Sequence, residues 1–259
     1  MRKLIIAATA FALFSTASAF AEKIRIGVTP GPHAQIMEKV KEVAATKGME
    51  IDIQEFSDYV IPNMALADKA LEANSFQHQP YLDNQVADRG FPIETVAQTV
   101  NFPMGLYSSK LKNISELADG ATIAIPNDPT NGGRALLVLA DNGLIKLDAS
   151  KGLKVTTIDV TENPKNLKFV ELDAAQLPRS LEDVQAAVIN TNYALEAGLD
   201  PAGDALVREG EKAPYVNVLV VRSEDKNAEW VKTLISTYHS PEVKQFIADT
   251  FKGSVIPAW

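Results

Sequence analysis

The stretch Ala121-Thr122-Ile123-Ala124-Ile125-Pro126-Asn127-Asp128-Pro129-Thr130-Asn131-Gly132-Gly133-Arg134 runs from an apolar, β-like segment into a cluster of turn formers. Beyond it, Leu136, Leu137, Leu139, Ala140 and Leu144 recur at the spacing of a helix with one apolar face. A strand, a tight turn and a helix make a βα unit, and open α/β sheets hold ligands at the carboxyl ends of their strands. The turn and helix start should leave backbone N–H groups unpaired at the positive end of the helix dipole. Arg134 stands against that dipole, so a negative group between the two is expected; a solvated arginine on an ordinary βα unit is the other reading. No Gly-x-x-x-x-Gly-Lys-Ser/Thr sequence occurs, which favours a small carboxylate over a phosphate.

The same alternation extends in both directions. Lys23 to Val28 reads as a strand, and Ile36, Val40, Val43 and Ala44 mark the apolar face of the next helix. Ile51 to Phe56 alternates again, so the first two strands are expected to be parallel with a right-handed crossover. A helix over Asn63 to Ala73, a short strand at Ser75-Phe76 and a helix from Pro80 to Gly90 follow. Ile93 to Val100 and Gly105 to Tyr107 are extended in pattern, with Asn101-Phe102-Pro103 between them. This segment reads as the chain leaving one lobe and entering another. The second lobe is expected to hold a short helix at 113–117, the βα unit above, strands near 155–160 and 169–172, a helix over 180–185 and a strand at 186–190. The apolar run Val216 to Val221 then returns to the first lobe, where helices near 226–238 and 241–251 pack. The expectation is an α/β protein of two lobes, 22–103 plus 216–259 and 104–215, with a ligand cleft between them.

Composition narrows the function classes. Arg2 and Lys3 precede an apolar run from Leu4 to Phe14, and Ala19-Phe20-Ala21 fits an export cleavage site before Glu22. Residues 1–21 are therefore read as a signal peptide. The chain has no cysteine, which removes disulfides, thiolate metal ligands and a lipobox cysteine for lipid attachment. A soluble periplasmic protein starting at Glu22 is expected. The formal charge of −8 becomes −10 without the signal, a surface that repels nucleic acid and anionic lipid.

Three further polar clusters lie at the ends of expected strands. Asn74-Ser75-Phe76-Gln77-His78-Gln79-Pro80-Tyr81 brings an aromatic, an imidazole and amides to one helix start, with Tyr59 as a candidate second wall. Asn190-Thr191-Asn192-Tyr193 closes a strand, and Tyr215-Val216-Asn217 opens one. Asn side chains can accept from an ammonium and donate to a carboxylate, which suits a zwitterion, although each alone is also a common turn residue.

Taken in order, Asn74 to Tyr81, Pro126 to Arg134, Glu162 to Leu167, Gln176 to Ser180, Val188 to Thr191 and Pro214 to Asn217 resemble the methionine-binding receptors of ABC importers, the NlpA lipoprotein family. The resemblance runs from about residue 23 to Trp259. It implies a type II periplasmic-binding-protein fold, capture of L-methionine between the lobes, with D-methionine and a methionyl peptide as the other candidate ligands, and delivery to an inner-membrane ABC permease with its ATPase subunit, by a monomer. It further implies that Arg134 pairs with the ligand carboxylate and that Asn190 and Asn217 hold the amino and carboxylate ends. Tyr59, Phe76 and His78 line the side-chain pocket by the same likeness. The absent lipobox cysteine departs from the family pattern.

Enzyme motifs are missing: no H-E-x-x-H, G-x-S-x-G or D-x-D-x-D-G sequence occurs. His33, His78 and His239 fall in different expected neighbourhoods, which argues against a zinc site. No cofactor, metal or nucleic-acid partner is expected. The alternative is an exported hydrolase of amino-acid conjugates using the same cleft.

Overall fold

The structure is a computed structural model describing residues 23–210 and 213–259; the expected signal peptide lies outside the described residues. The chain opens with β1 (Lys23–Val28), α1 (Pro32–Ala45), β2 (Glu50–Glu55), α2 (Ile61–Ala67), β3 (Ala73–His78), α3 (Gln79–Arg89) and β4 (Ile93–Gln98). Then come β5 (Val100–Asn101), β6 (Gly105–Tyr107), β7 (Thr122–Pro126), α4 (Pro129–Asp141), β8 (Lys146–Leu147), β9 (Val160–Glu162) and β10 (Lys168–Leu172). After α5 (Leu177–Ser180), β11 (Ala186–Ile189), α6 (Thr191–Glu196) and β12 (Val207–Arg208), the chain ends with β13 (Asn217–Arg222), α7 (Glu229–Tyr238), α8 (Pro241–Phe251) and β14 (Ile256–Pro257).

Two five-stranded sheets organise these elements, in the orders β2-β1-β3-β13-β4 and β10-β7-β11-β6-β12. In the first, β1 runs parallel to β2 and β3, and β13 runs against β3 and β4. In the second, β7 runs parallel to β10 and β11, and β6 runs against β11 and β12. The reversed strand has the same cause in both. β6 and β13 are the first strands after the chain crosses between sheets, so each enters its sheet from the side at which the other strands end. The carboxyl ends of the parallel strands consequently face the crossing segments.

Helices cover both faces of the central strands, which are therefore buried; β11 is apolar throughout, as are the inner residues Val218 to Val221 of β13. Every residue of β11 and β13 is buried. Against the first sheet α1, α7 and α8 contribute Ile36, Met37, Val40, Leu234 and Ile247 to one core cluster. In the second, α4 packs Leu136, Val138 and Leu139 with Ile123, Ile125 and Val188.

Three expected elements differ in the structure. The helix expected over 63–73 stops at Ala67, with Lys69 in a left-handed conformation (φ 64°), and β3 begins at Ala73. All of β3 is buried despite its polar residues, because they bond to one another. Asn63 Nδ2 donates to Gln77 Oε1 (2.7 Å), and Gln77 Nε2 donates to Asn63 Oδ1 (2.6 Å) and Asn74 Oδ1 (3.0 Å). Alternation of apolar and polar residues cannot register such a strand. The strand expected near 155–160 is a 3₁₀ turn at Thr157–Asp159 followed by β9, and the helix expected over 180–185 lies earlier, as α5.

The glycine pair in the opening stretch has a packing role. A Cβ on Gly132 would lie 2.8 Å from the Pro126 carbonyl oxygen, and one on Gly133 would lie 2.9 Å from the carbonyl oxygens of both Leu153 and Val155. Backbone cannot yield there as a flexible side chain would. Gly133→Ala should therefore destabilise the fold by about 1–3 kcal/mol, a fall of roughly 2–12 °C in the thermal midpoint for a chain of this size. Calorimetric melting of the variant checks this; an unchanged midpoint would show that α4 can move off its support.

Candidate functional site

One cavity is lined by Tyr59, Phe76, His78, Arg134, Asn190 and Asn217, all six of the residues singled out from sequence. On the first-sheet side, Phe76 and His78 lie at the carboxyl end of β3, Tyr59 lies between β2 and α2, and Asn217 opens β13 opposite His78. On the second-sheet side, Arg134 comes from α4 and Asn190 caps α6. His33, Gln77, Tyr81, Phe102, Asn131, Thr191 and Asn192 complete the wall. Tyr59, Phe76 and Tyr81 form an aromatic corner with ring centroids 6.0–6.2 Å apart.

Hydrogen bonds join the two sides. Tyr59 Oη donates to Asn192 Oδ1 (2.6 Å), Tyr193 Oη donates to the Ser57 carbonyl (3.0 Å), and His78 Nε2 lies 3.1 Å from Asn131 Oδ1. These contacts also fix which groups remain for a ligand. The Tyr81 amide donates to His78 Nδ1 at 3.1 Å, so Nδ1 is the acceptor and the proton sits on Nε2, which donates to Asn131 Oδ1. Asn190 Nδ2 donates to the same oxygen at 2.8 Å, while Asn131 Nδ2 donates to Asp128. Asn190 Oδ1 is left buried without a partner. Asn192 Nδ2 is likewise buried and unpartnered. His33 Nε2 lies 3.2 Å from Asn217 Oδ1 and its Nδ1 2.7 Å from Thr29 Oγ1; Asn217 thereby presents its Nδ2 donor. The cavity thus offers one free carbonyl acceptor and two amide donors beside the aromatic corner.

His78 is placed at the cavity, but both of its ring nitrogens are taken within the protein. Only its ring surface can meet a ligand. Burial, and then the charge of Arg134, lowers its pKa to about 3. Burial lowers that of His33 to about 4, so both imidazoles are neutral near pH 7. Burial also raises the pKa of Tyr59 above that of a free phenol.

Arg134 lies deep in the protein, its side chain 2% exposed. Nε donates to Glu209 Oε1 (2.9 Å), and Nη2 donates to Glu209 Oε2 (2.5 Å) and the Phe102 carbonyl (2.7 Å). The Tyr215 ring centroid is 4.4 Å from Cζ. The negative group that Arg134 was expected to need is thus present within the chain. Glu209 carried no sequence signal, being 75 positions away from Arg134. Nor is the start of α4 an open anion site. Asp128 caps it, accepting from the Asn131 amide on its side chain (2.9 Å) and from the Gly132 amide on its carbonyl (2.8 Å).

Among the described residues no cluster of three His, Asp or Glu could hold a metal ion, and no helix is long and apolar enough to cross a membrane. The hydroxyl–imidazole pair Thr29–His33 is buried, and Thr29 is absent from the cavity wall.

Comparison with known proteins adds kinship to this geometry. A family model described as NlpA lipoprotein matches residues 24–259. The D-methionine-binding lipoprotein MetQ of Escherichia coli is 48% identical over 239 residues, 91% of this chain and 88% of that protein. Outer membrane lipoprotein 3 of Mannheimia haemolytica is 43% identical over 259 residues, 99% and 98% of the two chains. A nutrient binding protein from Burkholderia cenocepacia, solved bound to methionine, superposes with a TM-score of 0.89 at 50% identity, covering 91% of this chain and all of that one. The fold is therefore that of a two-lobed α/β binding protein.

These relatives correct one expectation. They are named lipoproteins, which overturns the reading of a soluble protein free in the periplasm. That reading rested on the absence of cysteine. A zero cysteine count removes one chemistry of lipid attachment and does not establish that a protein is free of the membrane.

The two histidines set a pH dependence. Unfolded, each takes up a proton near pH 6.5; folded, they stay neutral down to about 4 and 3. The unfolded state binds more protons in that window, so stability is complete above pH 6.5 and falls as the pH drops, by about 1.4 kcal/mol per unit for each group. The ligand-free thermal midpoint should decline between pH 6.5 and 5, above the range where ordinary carboxylates titrate. A flat profile there would mean that the imidazoles are protonated in the folded protein.

Proposed function

Because the chain belongs to the NlpA lipoprotein family, we propose that it is the substrate-binding protein of a methionine ABC importer. In this reading it acts as a monomer, holds free L-methionine between its lobes without turning it over, and hands it to an inner-membrane permease driven by an ATPase subunit. The lobes are 22–103 with 216–259 and 104–215, a division supported by the strand membership of the two sheets. The names of the relatives support the ligand: one is called D-methionine-binding, and another was solved with methionine.

The observation that carries the reading is the buried, unpartnered Asn190 Oδ1 in a cavity that also presents amide donors and an aromatic corner. A carbonyl oxygen deprived of protein partners suits an ammonium, since leaving it unsatisfied costs about 1–3 kcal/mol. Asn217 Nδ2 and the Nη1 edge of Arg134 donate to the carboxylate. Tyr59, Phe76 and Tyr81 enclose the thioether, where sulfur–aromatic contact adds up to about 1.5 kcal/mol to burial. His78 supports this arrangement by orienting Asn131. The hydrolase alternative finds no support in the buried Thr29–His33 pair.

Mass spectrometry of small molecules released on denaturing the purified protein should find methionine. Titration calorimetry should then favour methionine over leucine by at least about tenfold, since leucine keeps burial but loses the sulfur contact and the unbranched shape. Asn190→Ala should weaken methionine by about 10- to 150-fold, the loss of one hydrogen bond to a charged group. Equal affinity for leucine, or an Asn190→Ala variant within threefold of wild type, would refute the assignment.

A further inference from the structure

Arg134 is the one formally charged side chain among the described residues lining the cavity, yet it does not confront a ligand as a free cation. Its Nε and Nη2 are used up by Glu209 and by the Phe102 carbonyl. The Glu209 side chain is only 5% exposed and is itself held in place. Its amide donates to the Met104 carbonyl (2.8 Å), and its Oε2 accepts from the Met104 amide (3.2 Å). It follows β12, which pairs with β6 through Arg208 and Gly105. Glu209 is thus tied to the strand that follows the first crossing, and through it the guanidinium is oriented by both crossings. Of the three guanidinium nitrogens, Nη1 alone has no protein partner among the described residues. The remaining titratable groups at the cavity are neutral histidines and tyrosines, and Asp128, behind Asn131, faces the positive end of the α4 dipole.

We propose that Glu209 is a positioning residue that sets the charge preference of the site: it restricts Arg134 to offering Nη1, and its carboxylate cancels the guanidinium charge, so that the cavity selects a ligand of zero net charge bearing both an ammonium and a carboxylate. This rests on the amino-acid-receptor reading above. An unpaired arginine would favour an anion lacking the ammonium and reject a cation lacking the carboxylate. The Arg134–Glu209 pair removes that bias, so both singly charged ligands lose to the zwitterion. The negative partner also explains how a guanidinium stays buried when the cleft is empty, because an unpaired charge there would be strongly destabilising.

The test uses calorimetry at pH 6.5 with three probes of one shape: L-methionine, the desamino anion 4-(methylsulfanyl)butanoate, and the cation L-methioninamide. The wild-type protein should bind methionine at least about tenfold more tightly than either analogue. Glu209→Gln keeps the size of the side chain and removes its charge. It should weaken methionine by about tenfold or more while shifting the preference at least about tenfold toward the butanoate and away from the amide. Glu209→Asp keeps the charge but withdraws the two-point grip, and should weaken all three probes together without reordering them. If Glu209 only braces the fold, Glu209→Gln lowers the thermal midpoint and leaves the butanoate-to-methionine ratio within threefold of wild type, which overturns the proposal. Should that variant not fold, the wild-type series decides, since butanoate binding as tightly as methionine overturns it equally. A wild-type protein that binds none of the three removes the receptor reading itself, and the proposal with it.

Discussion

A guanidinium buried where both crossings meet is the constraint around which the cleft is built. Taking that charge out of water is costly unless it is paired and its donors are satisfied. Glu209 supplies the countercharge, the Phe102 carbonyl a further acceptor, and the Tyr215 ring a face to lie against. Phe102 belongs to the first crossing, while Glu209 and Tyr215 belong to the second. Displacing either crossing would strip Arg134 of a partner, so the connection between the lobes and the floor of the site are held by the same contacts.

The crossings also explain the topology. A strand entering a sheet from the cleft must run against strands that end there, and β6 and β13 do so at equivalent places in the two sheet orders. The consequence is functional. Loops and helix starts from both sheets converge on one volume, and side chains as distant in sequence as Tyr59 and Asn192 come within hydrogen-bond distance.

Within that volume the amide network follows the rule that buried polar groups find partners. Asp128 orients Asn131; Asn131 orients Asn190 and meets His78; Tyr59 orients Asn192. Among the cavity-lining residues, Asn190 Oδ1 and Asn192 Nδ2 are the buried atoms that the network leaves without partners. A network satisfied everywhere except at groups facing a cavity is what a site prepared for a polar ligand requires.

Much of the fold was legible in the chain because periodic apolar residues and turn formers act locally. The βα unit around Arg134, the opening βαβ and the two C-terminal helices all follow from spacing and breakers. Among the elements misread, β3 carries polar side chains into the core: it is buried through mutual bonds among Asn63, Asn74 and Gln77, which no local pattern announces. The six candidate residues were singled out from clusters at strand ends and from the whole-chain resemblance; Phe76 and His78 lie within β3, Asn217 opens β13, and Arg134 lies in the helix after β7. Their chemistry was not legible. The sequence determined that a cation stands at a helix start, against the dipole, where a negative group or solvent must offset it; only the tertiary structure decided that Arg134 is buried, that its neighbour is Glu209, that His78 has no ring nitrogen left for a ligand, and which end of each asparagine faces the cavity. Those outcomes depend on which donor meets which acceptor across a cleft, a relation between residues far apart in the chain that exists only once both sheets are in place.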